Sequence, residues 1–217
     1  RMNWGEPWYA GFRESQTLYR FKNQLHFERN LMPHMLGWFA LRSDTSLEDA
    51  EWLLARAAGF DAGFALATSL ASTAMLEADP GSVDATKQFG ATPAILAAIK
   101  QWETARVSKA FPPEVKAMLR DNTHEFHLEA AGSPRWNLFE VHAARYTLDA
   151  TNKSPTELSF TNRFAAQVVQ WTMHSTAKQP LTGVTVEING RIVVDLKDRA
   201  LPPGGSLNVR SSISRLS

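Results

Sequence analysis

The segment MLGWFALRSDTSLEDAEWLLARAAGFDAGFALATS, residues 35–69, decides the fold. It opens with the short apolar run MLGWFAL and closes with a second one, AGFALATS, at residues 62–69. Neither run alternates polar with apolar residues, and runs of this kind are typical of strands buried on both faces. We therefore predict two buried strands.

The residues between these two runs predict a helix. A capping box at its start can be formed by Thr45 with Glu48, or by Ser46 with Asp49. We interpret Glu48, Asp49 and Glu51 as acidic residues placed near the positive end of the helix dipole. The apolar stripe and the expected C-terminal stop consist of Leu47, Leu54, Ala58 and Gly59. Strand, helix and strand then form a βαβ unit with parallel pairing.

Further helices flank this unit. Apolar residues recur at helical spacing from about Ser15 to Met32, and Pro33 ends that pattern. The apolar residues of this stretch are Leu18, Phe21, Leu25 and Met32. Thr92 is expected to cap a later helix that has Pro93 at its first position, and FPPEVKAMLRDN, residues 111–122, predicts a shorter helix.

From about His124 the chain changes to short strand-like runs separated by turn residues. The clearest is VEINGRIVV, residues 186–194. It predicts a hairpin because Asn189 and Gly190 tolerate the positive φ angles of a type I′ turn. We predict an antiparallel β-sandwich over residues 123–217.

Two parallel strands cannot cover their own faces, and parallel sheets occur almost only with both faces covered. An economical interpretation is that residues 1–122 are the last quarter of a (β/α)₈ barrel, a fold of about 250 residues. They would supply strands seven and eight with their flanking helices. The predicted fold class is therefore α/β followed by all-β: a partial barrel segment and then a β-sandwich domain.

The order of these segments resembles the C-terminal portion of large glycoside hydrolases, in which a catalytic (β/α)₈ barrel runs directly into a β-sandwich. The segments that carry the resemblance are ESQTLYRFKNQLHFERNLMPHMLGWFALRS (14–43), EDAEWLLARAAGFDAGFALATS (48–69), WETARVSKAFP (102–112), INGR (188–191) and LPPGG (201–205). The resemblance implies hydrolysis of O-glycosyl bonds in a polysaccharide or oligosaccharide. It also implies that the N-terminal remainder of the barrel is a partner, in the same gene product or as a separate chain.

Active sites of (β/α)₈ barrels lie at the C-terminal ends of the strands. In this interpretation residues 1–14 are the loop after strand six, and its carboxylates Glu6 and Glu14 are the candidates for catalytic acid and base. The expected substrate-binding residues are Trp8, Tyr9, Arg13, Trp38 and Arg42. Two of these residues have a clear structural alternative: Glu14 suits the first turn of a helix, and Trp38 within an apolar strand suits a core position.

The composition of the chain limits which partners, metals and cofactors we expect. The 23 basic and 22 acidic residues are interspersed and give a net charge of +1, so we expect neither nucleic acid nor a membrane as partner. There are no cysteines, and His124 and His127, three apart on a predicted strand, form a poor metal pair. We expect no metal and no cofactor. The sequence does not fix the compartment, although secretion or a periplasmic location is compatible with it.

A second hypothesis remains open. The chain has seven tryptophans and no complete catalytic signature. The alternative to a hydrolase is a non-catalytic carbohydrate-binding or protein-interaction module in which the aromatic loop binds glycan.

Overall fold

A computed structural model describes residues 13, 20–41, 45–68, 92–132, 134–142, 144–149, 151, 154–161, 163–164, 169–197 and 199–210. The helices are α1 (Phe21–Arg29), α2 (Leu47–Phe60), α3 (Thr92–Val107) and α4 (Pro113–Arg120). The strands are β1 (Met35–Leu41), β2 (Gly63–Thr68), β3 (Glu125–Ala130), β4 (Trp136–Val141), β5 (Gln170–His174), β6 (Thr185–Ile188), β7 (Arg191–Asp195) and β8 (Ser206–Arg210). No helix in the described ranges combines the length and apolar character needed to cross a membrane.

The βαβ unit predicted from the sequence is confirmed. Strands β1 and β2 pair in parallel, with α2 between them along the chain. Of the two capping boxes considered, the structure uses the second, since the amide of Asp49 donates to the Ser46 hydroxyl oxygen at 3.2 Å. The predicted stop at Gly59 is wrong: α2 continues to Phe60, and Asp61 ends it in a left-handed conformation at φ 51°.

One apolar core holds the α/β layer together. Helix α2 is buried along nearly its whole length and packs against β1, α3 and α4. The larger side chains that close this core are Leu36, Phe39, Leu53, Leu54, Ile95, Trp102, Phe111 and Leu119. Strand β3 adds Phe126 and Leu128 to the same core, so the packing continues past residue 122 into the strand-rich part of the chain.

A bulge in β1 sets which residues face this core. Met35 lies opposite Gly63 and Trp38 opposite Ala65, so β1 has one extra residue between the two pairs. Gly37 provides it at φ 86°, a conformation that glycine adopts without steric cost. As a result Leu36 and Phe39, three apart, are both buried, while Trp38 between them is 48% exposed.

Helix α1 buries a polar face that the sequence did not predict. Arg20, just before the helix, donates to the carbonyl oxygens of Leu36 and Trp38, and Gln24 donates to that of Met35 at 2.8 Å. These side chains therefore bind the backbone of β1. Leu25, expected on the buried stripe, is 57% exposed. The buried face is formed instead by Arg20 and Gln24, which lie one turn apart and reach β1.

The described strands after Thr123 form three two-stranded antiparallel sheets, β3–β4, β5–β8 and β6–β7. The predicted hairpin is confirmed, with Asn189 at φ 50° and Gly190 at φ 78° between β6 and β7. Leu196 and Leu201 form a second, smaller core in this part.

Candidate functional site

Trp38 is the predicted site residue whose setting the structure describes most directly. Its strand neighbours Leu36, Phe39 and Leu41 are buried in the core shared with α2, whereas Trp38 is 48% exposed. Opposite it on β2 is Ala65, whose small side chain leaves the flank of the indole uncovered. The expectation that β1 is buried on both faces is therefore wrong at Trp38. A half-exposed indole can stack on the apolar face of a sugar ring.

Arg13 joins the start of α2 to the start of β3. Its Nε donates to Oδ1 of Asp49 at 2.8 Å, and its Nη1 donates to Oε1 of Glu125 at 2.6 Å. The guanidinium also lies 5.4 Å from the ring centre of Trp52. Asp49 receives a second guanidinium, from Arg145 at 2.6 Å. Both contacts of Arg13 are thus internal to the protein.

Asp49 is the electrostatic centre of this group. Burial opposes its charged form, but hydrogen bonds and charge from Arg145, together with the charge of Arg13, outweigh burial and lower the pKa of the Asp49 carboxyl. The ionised form of Asp49 is thus favoured, and its single negative charge is shared between the two guanidinium groups. The other predicted site residues, Glu6, Trp8, Tyr9, Glu14 and Arg42, lie outside the described residues.

A second polar group, which the sequence did not predict, lies deeper. Glu51 on α2 is only 6% exposed, and its Oε1 accepts from Nε1 of Trp102 at 3.1 Å. Nδ1 of His127 lies 2.8 Å from its Oε2, and Nε2 of His127 lies 3.1 Å from Oε1 of Glu129. The interpretation of Glu51 as a simple first-turn acid is therefore wrong, because it is a buried carboxylate with two side-chain partners, Trp102 and His127.

The sequence did contain a signal for this group. Glu51 lies between Leu47 and Leu54 at helical spacing, within the apolar stripe of α2. A carboxylate on a buried face requires a partner, since an unpaired buried charge is very costly. The stripe therefore indicated that Glu51 has a basic or hydrogen-bonding partner, although it did not indicate which residue.

The chemistry of the Glu51–His127 pair is limited to holding a proton. A carboxylate and the imidazole that it orients are two of the three members of a nucleophilic triad. Among the described residues, however, both ring nitrogens of His127 contact carboxylates and neither bonds to a serine or threonine hydroxyl. Within the same part of the chain, no cluster of three or more His, Asp or Glu side chains is suited to hold a metal ion.

One shallow groove of about 290 Å³ lies between the segments at residues 142–146 and 159–163. Tyr146 crosses it, donating its hydroxyl hydrogen to the Ser159 carbonyl at 2.8 Å. Every side chain described along the groove is exposed, so a ligand bound here remains largely in contact with water.

Comparisons with protein-family models, with characterised proteins and with solved structures find no match to this chain.

Proposed function

We propose that this chain is the C-terminal part of a polysaccharide- or oligosaccharide-active glycoside hydrolase. In this proposal the β1–α2–β2 unit supplies one wall of the active-site cleft, and the strand-rich part after Thr123 is an ancillary β-sandwich. The observation that carries the proposal is the parallel β1–β2 pair, one face of which packs on helices while the other presents the half-exposed Trp38.

The open face of this strand pair supports the proposal. Parallel strands occur almost only in sheets covered on both faces, and two strands are too few for an independent sheet. Further parallel strands would complete a barrel whose interior face includes Trp38 and Ala65. Trp38 would then lie within the barrel, three residues before the C-terminal end of β1 at Leu41. That end is the face on which barrel enzymes build their sites.

The Arg13 ion pairs lie at the same end of the layer. Helix α2 begins at Leu47, six residues after β1 ends at Leu41, so the first turn of α2 is close to the C-terminal end of β1. Arg13 is bound to Asp49 in this turn, so its guanidinium lies at the same end. Glu6 and Glu14, close to Arg13 in the sequence, remain the proposed catalytic pair.

The proposed reaction is hydrolysis of a glycosidic bond by two carboxylates, one donating a proton to the leaving oxygen. Whether the second acts as nucleophile or as base follows from their separation, about 5–5.5 Å for retention and about 6.5–9.5 Å for inversion. Aromatic residues, Trp38 among them, would stack on the sugar rings, and Arg42 would bind a hydroxyl or carboxylate of the substrate.

The test is a reducing-sugar assay on a panel of polysaccharides, using the gene product together with any sequence that precedes Arg1. Replacing the catalytic carboxylates, in Glu6→Gln and Glu14→Gln, should lower the rate by about 10²–10⁴-fold. Glu28→Gln is the matched control, since Glu28 is an exposed residue of α1. Absence of hydrolysis on every substrate, or full activity of both variants, would refute the proposal.

A second candidate function, a non-catalytic carbohydrate-binding module, is favoured by the same exposure of Trp38 together with the internal contacts of Arg13. The two functions give different results. A binding module would be retarded in gels containing polysaccharide but would release no sugar, and Trp8→Ala with Tyr9→Ala would abolish the retardation without loss of folding.

A further inference from the structure

Where β3 meets α2, the imidazole of His127 lies between the carboxylates of Glu51 and Glu129. Glu51 and Glu129 contact opposite nitrogens of the His127 ring, at 2.8 Å and 3.1 Å. Phe139 on β4 stacks on the same ring with centroids 6.5 Å apart. The side chain of His127 is 20% exposed, so water reaches only part of it.

The position of Glu51 is fixed by groups other than the histidine. Trp102 on α3 donates to Oε1 of Glu51 at 3.1 Å, and the amide of Leu128 approaches the same oxygen at 3.5 Å. The carboxylate is therefore held by α3 and by the backbone of β3. A change in the charge of His127 alters its two carboxylate contacts without displacing Glu51.

We propose that the Glu51–His127–Glu129 array is a pH-sensitive latch that fastens the β3–β4 hairpin to helices α2 and α3 and loosens as the pH rises. An imidazolium donates from both nitrogens, one hydrogen bond to each carboxylate. A neutral ring that keeps its proton on Nδ1 still donates to Glu51. The unprotonated Nε2 and the Glu129 carboxylate are then both hydrogen-bond acceptors, so the contact between Nε2 and Glu129 is lost.

The electrostatics of the site give the direction of the effect. Burial lowers the pKa of His127, but hydrogen bonds and charge from Glu51 and then Glu129 outweigh burial, so its pKa is raised. The neighbours from α3 and β4, Trp102 and Phe139, carry no charge. A raised folded-state pKa contributes stability that is complete below the unfolded value of about 6.5. That stability is lost as the pH rises through the folded-state pKa.

The experiment combines two measurements on the 217-residue chain. NMR titration of the imidazole nitrogens gives the pKa of His127, and amide hydrogen exchange gives the opening equilibrium of β3 relative to β1. For each unit by which the pKa exceeds that of the unfolded chain, the β3 opening equilibrium should rise about tenfold from low to high pH. The two measurements must therefore agree in size as well as in sign.

Three variants separate the latch from a general effect of pH. His127→Gln should abolish the pH dependence of β3 opening. Glu129→Gln should weaken the dependence, because Glu51 alone then raises the pKa of His127, and should keep β3 closed at high pH, because an amide can donate to the neutral Nε2. His124→Gln is the matched control: this histidine is more exposed, bonds to Glu140, and should leave the dependence unchanged.

Either of two results would overturn the proposal. One is a His127 pKa at or below that of an ordinary imidazole, about 6.5. The other is a pH dependence of β3 opening that persists in His127→Gln. If that variant does not fold, an undiminished dependence in Glu129→Gln overturns the proposal, because the latch requires the charge of Glu129.

Discussion

Nη2 of Arg56 donates a hydrogen bond to the backbone carbonyl of His124 at 2.6 Å, joining the middle of α2 to the residue just before β3. Nη1 of the same guanidinium also donates to the carbonyl of Asp121. Burial lowers the pKa of Arg56 to about 10, so the group stays charged at neutral pH. These bonds supply acceptors for a guanidinium whose residue is 0% exposed.

Replacing Arg56 by methionine should destabilise the protein by about 2–4 kcal/mol. The substitution keeps an apolar stem but leaves the carbonyls of Asp121 and His124 without their donor. It also removes a charge stacked 5.1 Å from the ring centre of Trp52. Urea unfolding measures the loss, with Arg29→Met as the control at an exposed position. Equal midpoints for the two variants would mean that the Arg56 bonds contribute nothing net.

Gly59→Ala should be destabilising although alanine is the better helix former. A Cβ at this position would lie 2.9 Å from the backbone nitrogen of Arg120 and 3.0 Å from the carbonyl oxygen of Lys116. These are backbone atoms of α4, so the two helices must separate, at a cost of about 1–3 kcal/mol. The gain in helix propensity from glycine to alanine is about 1 kcal/mol, which is smaller than most of the range expected for separating the helices.

Gly63→Ala is the control for this prediction. At Gly63 an added Cβ meets the flexible end of Met35 at 3.6 Å and the His34 carbonyl oxygen at 4.0 Å, both ordinary contacts. Thermal unfolding should therefore show a lower midpoint for Gly59→Ala than for Gly63→Ala. A Gly59→Ala protein as stable as the parent would show that α4 is not held at this distance.

The parts of the fold that were predictable from the sequence have short-range signals. The parallel pairing of β1 with β2 follows from two apolar runs around one capped helix, and the turn at Asn189 and Gly190 follows from the residues that tolerate positive φ. The polar contacts were not predictable in the same way. Glu51 and His127 are 76 positions apart, and nothing local in either segment specifies the other.

The open side of β1 is a second feature that could not be predicted from the sequence. An apolar strand pattern suggests a core position for Trp38, but the extra residue at Gly37 determines which side chains reach the core. A glycine within a strand indicates that a bulge is possible without indicating that it forms. The exposure of Trp38 therefore required the structure.

Asp49→Asn should reduce stability near neutral pH and have less effect in acid. A lowered folded-state pKa contributes stability above the unfolded value of about 3.9, and this is lost as the pH falls through the folded value. At about pH 6 the variant loses charge-assisted bonds from Arg13 and Arg145, about 2 kcal/mol in total. The urea midpoints of the variant and the parent should therefore differ at about pH 6 and approach each other as the pH falls toward about 2.5, because protonation of Asp49 in the parent removes the same charge.

Asp195→Asn provides the comparison for Asp49. Asp195 pairs with Lys197, whose side chain is 74% exposed, and such surface pairs contribute little. Its variant should follow the parent protein at both pH values. A difference between Asp49→Asn and the parent that is as large in acid as at neutral pH would assign the effect to packing rather than to charge.

Trp38→Ala and Phe39→Ala, adjacent on β1, should separate a binding role from a packing role. Phe39 is fully buried, with the Arg20 guanidinium 4.1 Å from its ring centre, so its truncation should cost about 3–5 kcal/mol. Trp38 keeps about half of its surface in water, so its truncation should cost less, about 2 kcal/mol. If Trp38 contacts sugar, saccharide binding measured by calorimetry should weaken in the folded Trp38→Ala protein. Unchanged affinity would remove Trp38 from the proposed cleft, and a cost matching that of Phe39→Ala would make it a core residue.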